Sequence, residues 1–164
     1  PVFGICLGAQ MMSVALGGTV TPCKGYSIGL RKIEVTEFGE SDPVFSQLKT
    51  PLVFALHGEC YSLPEGADLL ADGVFLQNDS KYSRINMAFK YGTSYGFQFE
   101  PQLTLEEFLI WNQEMVHEYD RLGPQFDPKD KAASDLREFT SFSRIYECQM
   151  GDLFRTFLDT SVLT

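Results

Sequence analysis

The order of apolar runs and turns along the chain predicts an α/β protein, a sheet with an antiparallel portion flanked by helices. Three observations lead there. A short apolar run at the front (Val2, Phe3, Ile5) enters a glycine-flanked cysteine and then a helical pattern. The middle of the chain holds several strand-length apolar segments separated by turn residues, and the last third has helical periodicity.

Taken in order, the first strand gives way to a helix marked by Met11, Met12, Val14, Ala15 and Leu16 and closed by Gly17-Gly18. Thr19-Val20-Thr21 precedes a loop from Pro22 to Gly29, rich in small residues. Leu30 to Thr36 alternates apolar and polar, as a half-buried strand does. Phe38 to Thr50 is turn-rich, with Gly39, Ser41-Asp42-Pro43 and an apolar patch at Val44-Phe45. Leu52 to Leu56 is a continuous apolar run, read as a buried strand ending at His57-Gly58, and Leu63 to Ala67 is a turn. Leu69 to Gln77 and Ile85 to Tyr91 read as strands with Asn78-Asp79-Ser80 between them. Tyr95 to Phe99 is another, stopped by Pro101.

Leu103 to Tyr119 reads as a helix, with Thr104 as N-cap and Glu106-Glu107 in its first turn. After a break at Gly123-Pro124, a final helix runs from about Pro128 to Leu158. Its Leu136, Phe139, Ser143, Tyr146, Met150, Leu153 and Phe157 fall at alternating three- and four-residue steps. That stripe suits a face packed on the domain; Ser143 and the short length weigh against a coiled-coil seam.

At 164 residues the chain is long enough for one domain with a real core, and we expect a single domain over 1–164. With 44% hydrophobic and 21% charged residues the composition is that of a globular protein. No apolar run has transmembrane length and no signal peptide is evident, so a membrane partner is not expected. The net charge of −9 argues against a nucleic-acid surface, which needs clustered Lys and Arg. Cys6, Cys23, Cys60 and Cys148 are scattered without a C-x-x-C pair. That pattern predicts neither a disulfide framework nor structural zinc, and makes a reducing cytoplasm the expected location. His57 and Cys60 are close enough to share a metal, but no second close pair completes a tetrahedral set; no cofactor is expected.

The chemistry-bearing stretch is Phe3 to Gln10. Gly4-Ile5-Cys6-Leu7-Gly8 has the form of a nucleophile elbow, a sharp strand-to-helix turn presenting a side chain at a helix N-terminus. A Cβ at either glycine is expected to collide with the neighbouring strand or helix. The helix N-terminus favours a thiolate and then an oxyanion. The competing reading is a buried cysteine serving as a small hydrophobe.

Several ordered segments together resemble the class I glutamine amidotransferases, most closely their stand-alone, GMP-synthase-like group. Gly4 to Gln10 reproduces the family's G-x-C-L-G-x-Q elbow. Leu16 to Val20, Gly25 to Gly29 (with Ser27 where the family usually has glutamate) and His57 to Pro64 are similar to family segments, as is the closing helix. The resemblance covers nearly the whole chain. It implies a flavodoxin-like sheet flanked by helices, hydrolysis of the glutamine amide with transfer of ammonia, and substrate contacts at Leu7 and Gln10.

The resemblance also implies a Cys-His-Glu triad, whose last two members lie in a G-x-Q-F-H-P-E segment. Here that segment reads Gly96-Phe97-Gln98-Phe99-Glu100-Pro101-Gln102, placing Glu100 at the histidine position and Gln102 at the glutamate position. A glutamate near pKa 4.3 is about four units too weak a base for a thiol near 8.5, roughly 5–6 kcal/mol. An ionised Glu100 beside Cys6 also disfavours the thiolate by like-charge repulsion. Gln102 carries no charge to steady an imidazolium. The family further has a front portion with a first strand and a glycine-rich loop ahead of the elbow, whereas Pro1 stands close to Cys6. The expectation is therefore a sheet with an open edge beside its nucleophile strand, completed by a second chain or a missing segment.

The leading reading is an amidotransferase-like domain with impaired or absent glutaminase activity, able to bind glutamine or a γ-glutamyl compound. One alternative is an active thiol γ-glutamyl hydrolase or transferase that pairs Cys6 with another base such as His57. The other is a non-enzymatic subunit of a larger assembly. His57 is otherwise read as a hydrogen-bonded residue at the end of a buried strand, and His117 as a surface residue.

Overall fold

The computed structural model describes residues 1–76 and 82–162. A mixed six-stranded sheet in the order β1-β6-β5-β4-β2-β3 forms the centre of the fold. Its strands are β1 (Phe3–Ile5), β2 (Val20–Val35), β3 (Leu52–Tyr61), β4 (Asp68–Leu76), β5 (Tyr82–Tyr91) and β6 (Ser94–Phe97). β1 pairs with β6 in parallel, Phe3 opposite Tyr95 and Ile5 opposite Phe97; the other pairings are antiparallel. The α/β class and the antiparallel portion expected from the sequence are both present. Gln77 and the Asn78-Asp79-Ser80 turn lie outside the described residues.

Four α-helices accompany the sheet among the described residues: α1 (Leu7–Ala15), α2 (Glu37–Ser41), α3 (Leu105–Glu114) and α4 (Pro128–Phe157). α4 begins as its sequence dictates, with Asp127 accepting from the Asp130 N–H at 2.9 Å and Pro128 in the first turn, where a missing N–H costs nothing. Its expected apolar stripe is the packed face: Phe139, Ser143, Tyr146, Met150, Leu153 and Phe157 are buried and Leu136 partly so. Rings do much of the packing: Phe139 meets Phe54, Phe108 and Tyr146 with centroids 5.0–5.4 Å apart. A smaller cluster of Ala9, Tyr61 and Phe89 seats α1. No helix among the described residues is long and apolar enough to cross a membrane.

Three expectations are corrected. The loop expected over Pro22 to Gly29 belongs to β2, which loses register with β3 between Pro22 and Ser27. Cys23 to Tyr26 there arch out opposite Gly58 alone, with Lys24 at φ 54°. The helix expected to reach Tyr119 is capped as foreseen, Thr104 and Glu107 forming a reciprocal capping box, but α3 stops at Glu114. A 3₁₀ stretch, Val116–Leu122, follows it and ends at Gly123 with φ 96°. Third, Cys23 and Cys60 are joined as a disulfide, with Cα atoms 5.7 Å apart, where the scattered cysteines predict no disulfide framework. Sequence spacing hid this pair because the arch in β2, not the linear separation, brings Cys23 opposite the end of β3.

Candidate active site

Cys6 sits at the junction of β1 and α1 with φ 46° and ψ −104°, a backbone region that L-residues rarely occupy. Its N–H donates to the Phe97 carbonyl at 2.7 Å, so the elbow hangs from β6 while its carbonyl already starts α1 through the Gln10 N–H at 3.1 Å. Gly4 is required at this turn: a Cβ there would come within 2.9–3.0 Å of the Gly8 and Ala9 backbone. Gly8 is not, since a Cβ would meet nothing within 4 Å. The expectation that both glycines relieve a collision holds for one of them.

The thiol is half-buried and ringed by polar groups. The Gln98 Nε2 donates to Sγ at 3.8 Å, the Leu7 backbone N–H also points at the sulfur, and the thiol lies 3.8 Å from the Leu56 carbonyl. The S–H donates to that Leu56 carbonyl, and the Glu100 carboxylate lies close enough to act on the thiol electrostatically. Burial, then the nearby charge of Glu100, pushes the thiol from 9.0 up to about 12, against a smaller opposing pull from the Leu7 N–H. Glu100 is itself buried, which raises its carboxyl above the usual range, while the bond from Gln102 holds it back. Gln102 Nε2 donates to Glu100 Oε2 at 2.8 Å. Cys6, Glu100 and Gln102, drawn from opposite ends of the motif set, are thus brought into one region, with a hydrogen bond between the last two.

Glu100 is fixed through its backbone. Its N–H donates to the Phe54 carbonyl at 2.9 Å, and its own carbonyl accepts the Tyr146 hydroxyl at 2.7 Å and the Leu103 N–H at 3.2 Å. α4 therefore holds the turn that carries the carboxylate. Tyr146 was legible in the sequence only as a member of the packing stripe.

Gln10, on the first turns of α1, is buried and faces the same region. Its Nε2 is 3.4 Å from both the Glu59 carbonyl and the Gln98 Oε1. Leu7 contributes its backbone; its side chain is exposed. His57 lies within β3 rather than at its end, buried, with Nδ1–H donating to the Glu59 carbonyl at 3.0 Å. Burial pushes its pKa down to about 4, the opposite of what a general base for a thiol requires. His117 is exposed, 3.6 Å from Glu118. Sequence reasoning missed Gln98 and the Glu59 carbonyl as organising groups: Gln98 stands inside a recognised motif without a role there, and a carbonyl has no side-chain signature. No cluster of three or more His, Cys, Asp or Glu suited to a metal occurs among the described residues.

Comparison with known proteins places this geometry. The family model for "Glutamine amidotransferase class-I" matches residues 1–116. The glutamine-hydrolyzing GMP synthase of Neisseria meningitidis serogroup C is 30% identical over 111 residues, 63% of this chain and 19% of that protein. The pyocyanine-specific anthranilate synthase component 2 of Pseudomonas aeruginosa is 34% identical over 124 residues, 68% of this chain and 56% of that one. A glutamine amidotransferase structure from Thermotoga maritima superimposes with a TM-score of 0.76 at 22% identity, covering 98% of this chain and 63% of the other. The chain spans less than two thirds of the length of each. The sheet and its flanking helices are those of the flavodoxin-like architecture.

Proposed function

The chain belongs to the class I glutamine amidotransferase family, and from that footing we propose that it is a family member whose glutaminase reaction is impaired or absent. We assign Cys6 to the nucleophile position, Glu100 to the histidine position and Gln102 to the glutamate position. The observation that carries this reading is the buried Glu100 carboxylate close enough to act on the Cys6 thiol and bonded in turn to Gln102. Amide hydrolysis by a thiol needs a base that strips the S–H and an acid that protonates the departing ammonia. An ionised carboxylate beside the sulfur holds the proton on the thiol, so the nucleophile stays in its unreactive form. Gln102, an uncharged donor to the same carboxylate, fits a resting hydrogen bond rather than a charge relay.

Binding without turnover remains open to such a site. The elbow, the Leu7 N–H at the head of α1 and the buried Gln10 are the parts that would receive glutamine or another γ-glutamyl compound. Among the described residues the sheet ends at β1, which pairs there with β6 alone. Beside it lies an apolar cleft of about 400 Å³ between β1, the Pro101–Thr104 turn and α4, lined by Phe3, Ile5, Leu103, Met150 and Phe154. We assign this edge to a further polypeptide segment, from a second chain or elsewhere in the same protein, since an uncovered edge strand invites indiscriminate pairing.

The test is ammonia release from glutamine by the chain as isolated with its co-purifying partners, compared with the E100H/Q102E double variant. The expected result is turnover far below the ordinary enzymatic range of about 1–10³ s⁻¹ for the wild type, and a gain in the double variant. Turnover of the wild type within that range overturns the proposal.

A further inference from the structure

Outside the thiol–carboxylate site, the cysteine pair on β2 and β3 has a placement that packing alone does not require. Cys23 opens the arch that β2 makes opposite Gly58, and Cys60 is the residue after Glu59. The far end of the arch is held by Tyr26, whose hydroxyl donates to Glu118 Oε2 at 2.7 Å and whose ring lies 4.0 Å beneath the Arg121 guanidinium. The near end is held by the disulfide. The arch is thus fastened at both ends, covalently at one of them.

The strand segment that Cys60 belongs to is the wall against which α1 is seated. The Glu59 carbonyl takes both the Gln10 amide and the His57 ring N–H, at 3.4 and 3.0 Å. Two residues beyond Cys60, the Ser62 carbonyl accepts the Ser13 hydroxyl at 2.8 Å, and the Ser62 hydroxyl accepts the Thr19 N–H at 2.9 Å. From Gln10 the contacts continue to Gln98 Oε1 and, through Gln98 Nε2, to the Cys6 sulfur. Each link touches the next.

We propose that Cys23 and Cys60 are a reversible thiol–disulfide modification site that controls access to Cys6 through this wall. The partner chemistry is a dithiol reductant. One thiolate of the dithiol attacks a sulfur of the pair, the S–S bond breaks, and the mixed disulfide resolves when the second dithiol sulfur displaces the protein thiol. The protein gains two electrons and two protons, and the dithiol leaves as its cyclic disulfide. Reduction removes the covalent tie at one end of the arch and leaves Glu59 to Tyr61 held to β2 by the ladder alone, loosening the Gln10 and Gln98 contacts that screen the sulfur. Because the readout is the accessibility of a thiol, the site stands or falls independently of whether glutamine is turned over.

The experiment uses the full chain, oxidised in air or reduced with dithiothreitol and desalted without oxygen. Free thiols are counted by alkylation and mass spectrometry, and the rate of Cys6 modification by iodoacetamide is measured at fixed pH. Exposed Cys148 on α4 is the internal reference. The expected result is two free thiols in the oxidised chain and four in the reduced one, with Cys6 alkylated at least threefold faster after reduction and Cys148 unchanged. The C23S/C60S variant should show the faster rate without reductant and no further response to it; the reduced wild type carries the test if that variant does not fold. Four free thiols after oxidation, or a Cys6 rate that is equal or slower after reduction, overturns the proposal.

Discussion

Replacing Glu100 by glutamine isolates the step on which the proposed loss of activity depends. The substitution keeps the side chain's shape and an oxygen for the Gln102 amide, and removes the charge that faces the Cys6 thiol. The thiol stands near 12 rather than 9.0, with burial the largest cause and the Glu100 charge next. Burial survives the substitution, so only part of the gap closes. A fall of about one to two pH units multiplies the thiolate present at pH 8 by roughly 10 to 100. A less basic thiolate is a weaker nucleophile, with a Brønsted slope near 0.4–0.5, which returns roughly a factor of 3 to 10. The net expectation is Cys6 alkylation about 3 to 10 times faster in E100Q, read by mass spectrometry with Cys148 as reference. An unchanged or slower rate would mean that Glu100 does not hold the proton on the sulfur, and the account of the idle nucleophile fails with it.

Stability offers further checks. His57 has a folded pKa near 4 against an ordinary 6.5, so the unfolded chain binds its proton first; the stability it contributes is present above 6.5 and lost as pH falls through 4. That is about 3 kcal/mol between pH 7 and pH 4, so urea unfolding of His57→Gln should lose less stability over this range than the wild type by about that amount. Glu100, with its carboxyl raised, acts in the opposite sense: its contribution is present below the ordinary 4.5 and lost as pH rises through its folded value. Gly4→Ala forces a Cβ into the Gly8 and Ala9 backbone and should cost about 2 kcal/mol or more, whereas Gly8→Ala meets open space within a helix and should gain about 0.5–1 kcal/mol. Equal melting shifts for the two would refute the assigned elbow geometry. Tyr146→Phe removes the buried donor to the Glu100 carbonyl and should cost about 1–3 kcal/mol, lowering the melting temperature by several degrees.

Legibility in the sequence followed the physical range of each signal. The α4 stripe was readable because one helix face meets one core, so that period alone names Phe139, Tyr146, Leu153 and Phe157. The Thr104 cap and the Pro128 start were readable because capping is local. The premature end of α3 was not: the chain tightens into a 3₁₀ stretch that buries Tyr119 and Leu122, a tertiary demand that overrides the continuing helical pattern. At the site, the motifs named Cys6, Glu100, Gln102 and Gln10, and these side chains do converge on one region. What spacing could not carry was the arch in β2. Its register shift pairs Cys23 with Cys60 and makes the Glu59 carbonyl a shared acceptor for Gln10 and His57.

The parallel pairing of β1 with β6 has a consequence for when the elbow comes into being. Val2 donates to the Ser94 hydroxyl, and Cys6 to the Phe97 carbonyl, across a sequence separation of about ninety residues. Every other strand pair is antiparallel, and the β4–β5 and β5–β6 pairs join consecutive strands. Loop closure makes contacts of such separation slow to form. During synthesis Cys6 is therefore made well before β6, and the strained turn that presents it can form only once β6 exists.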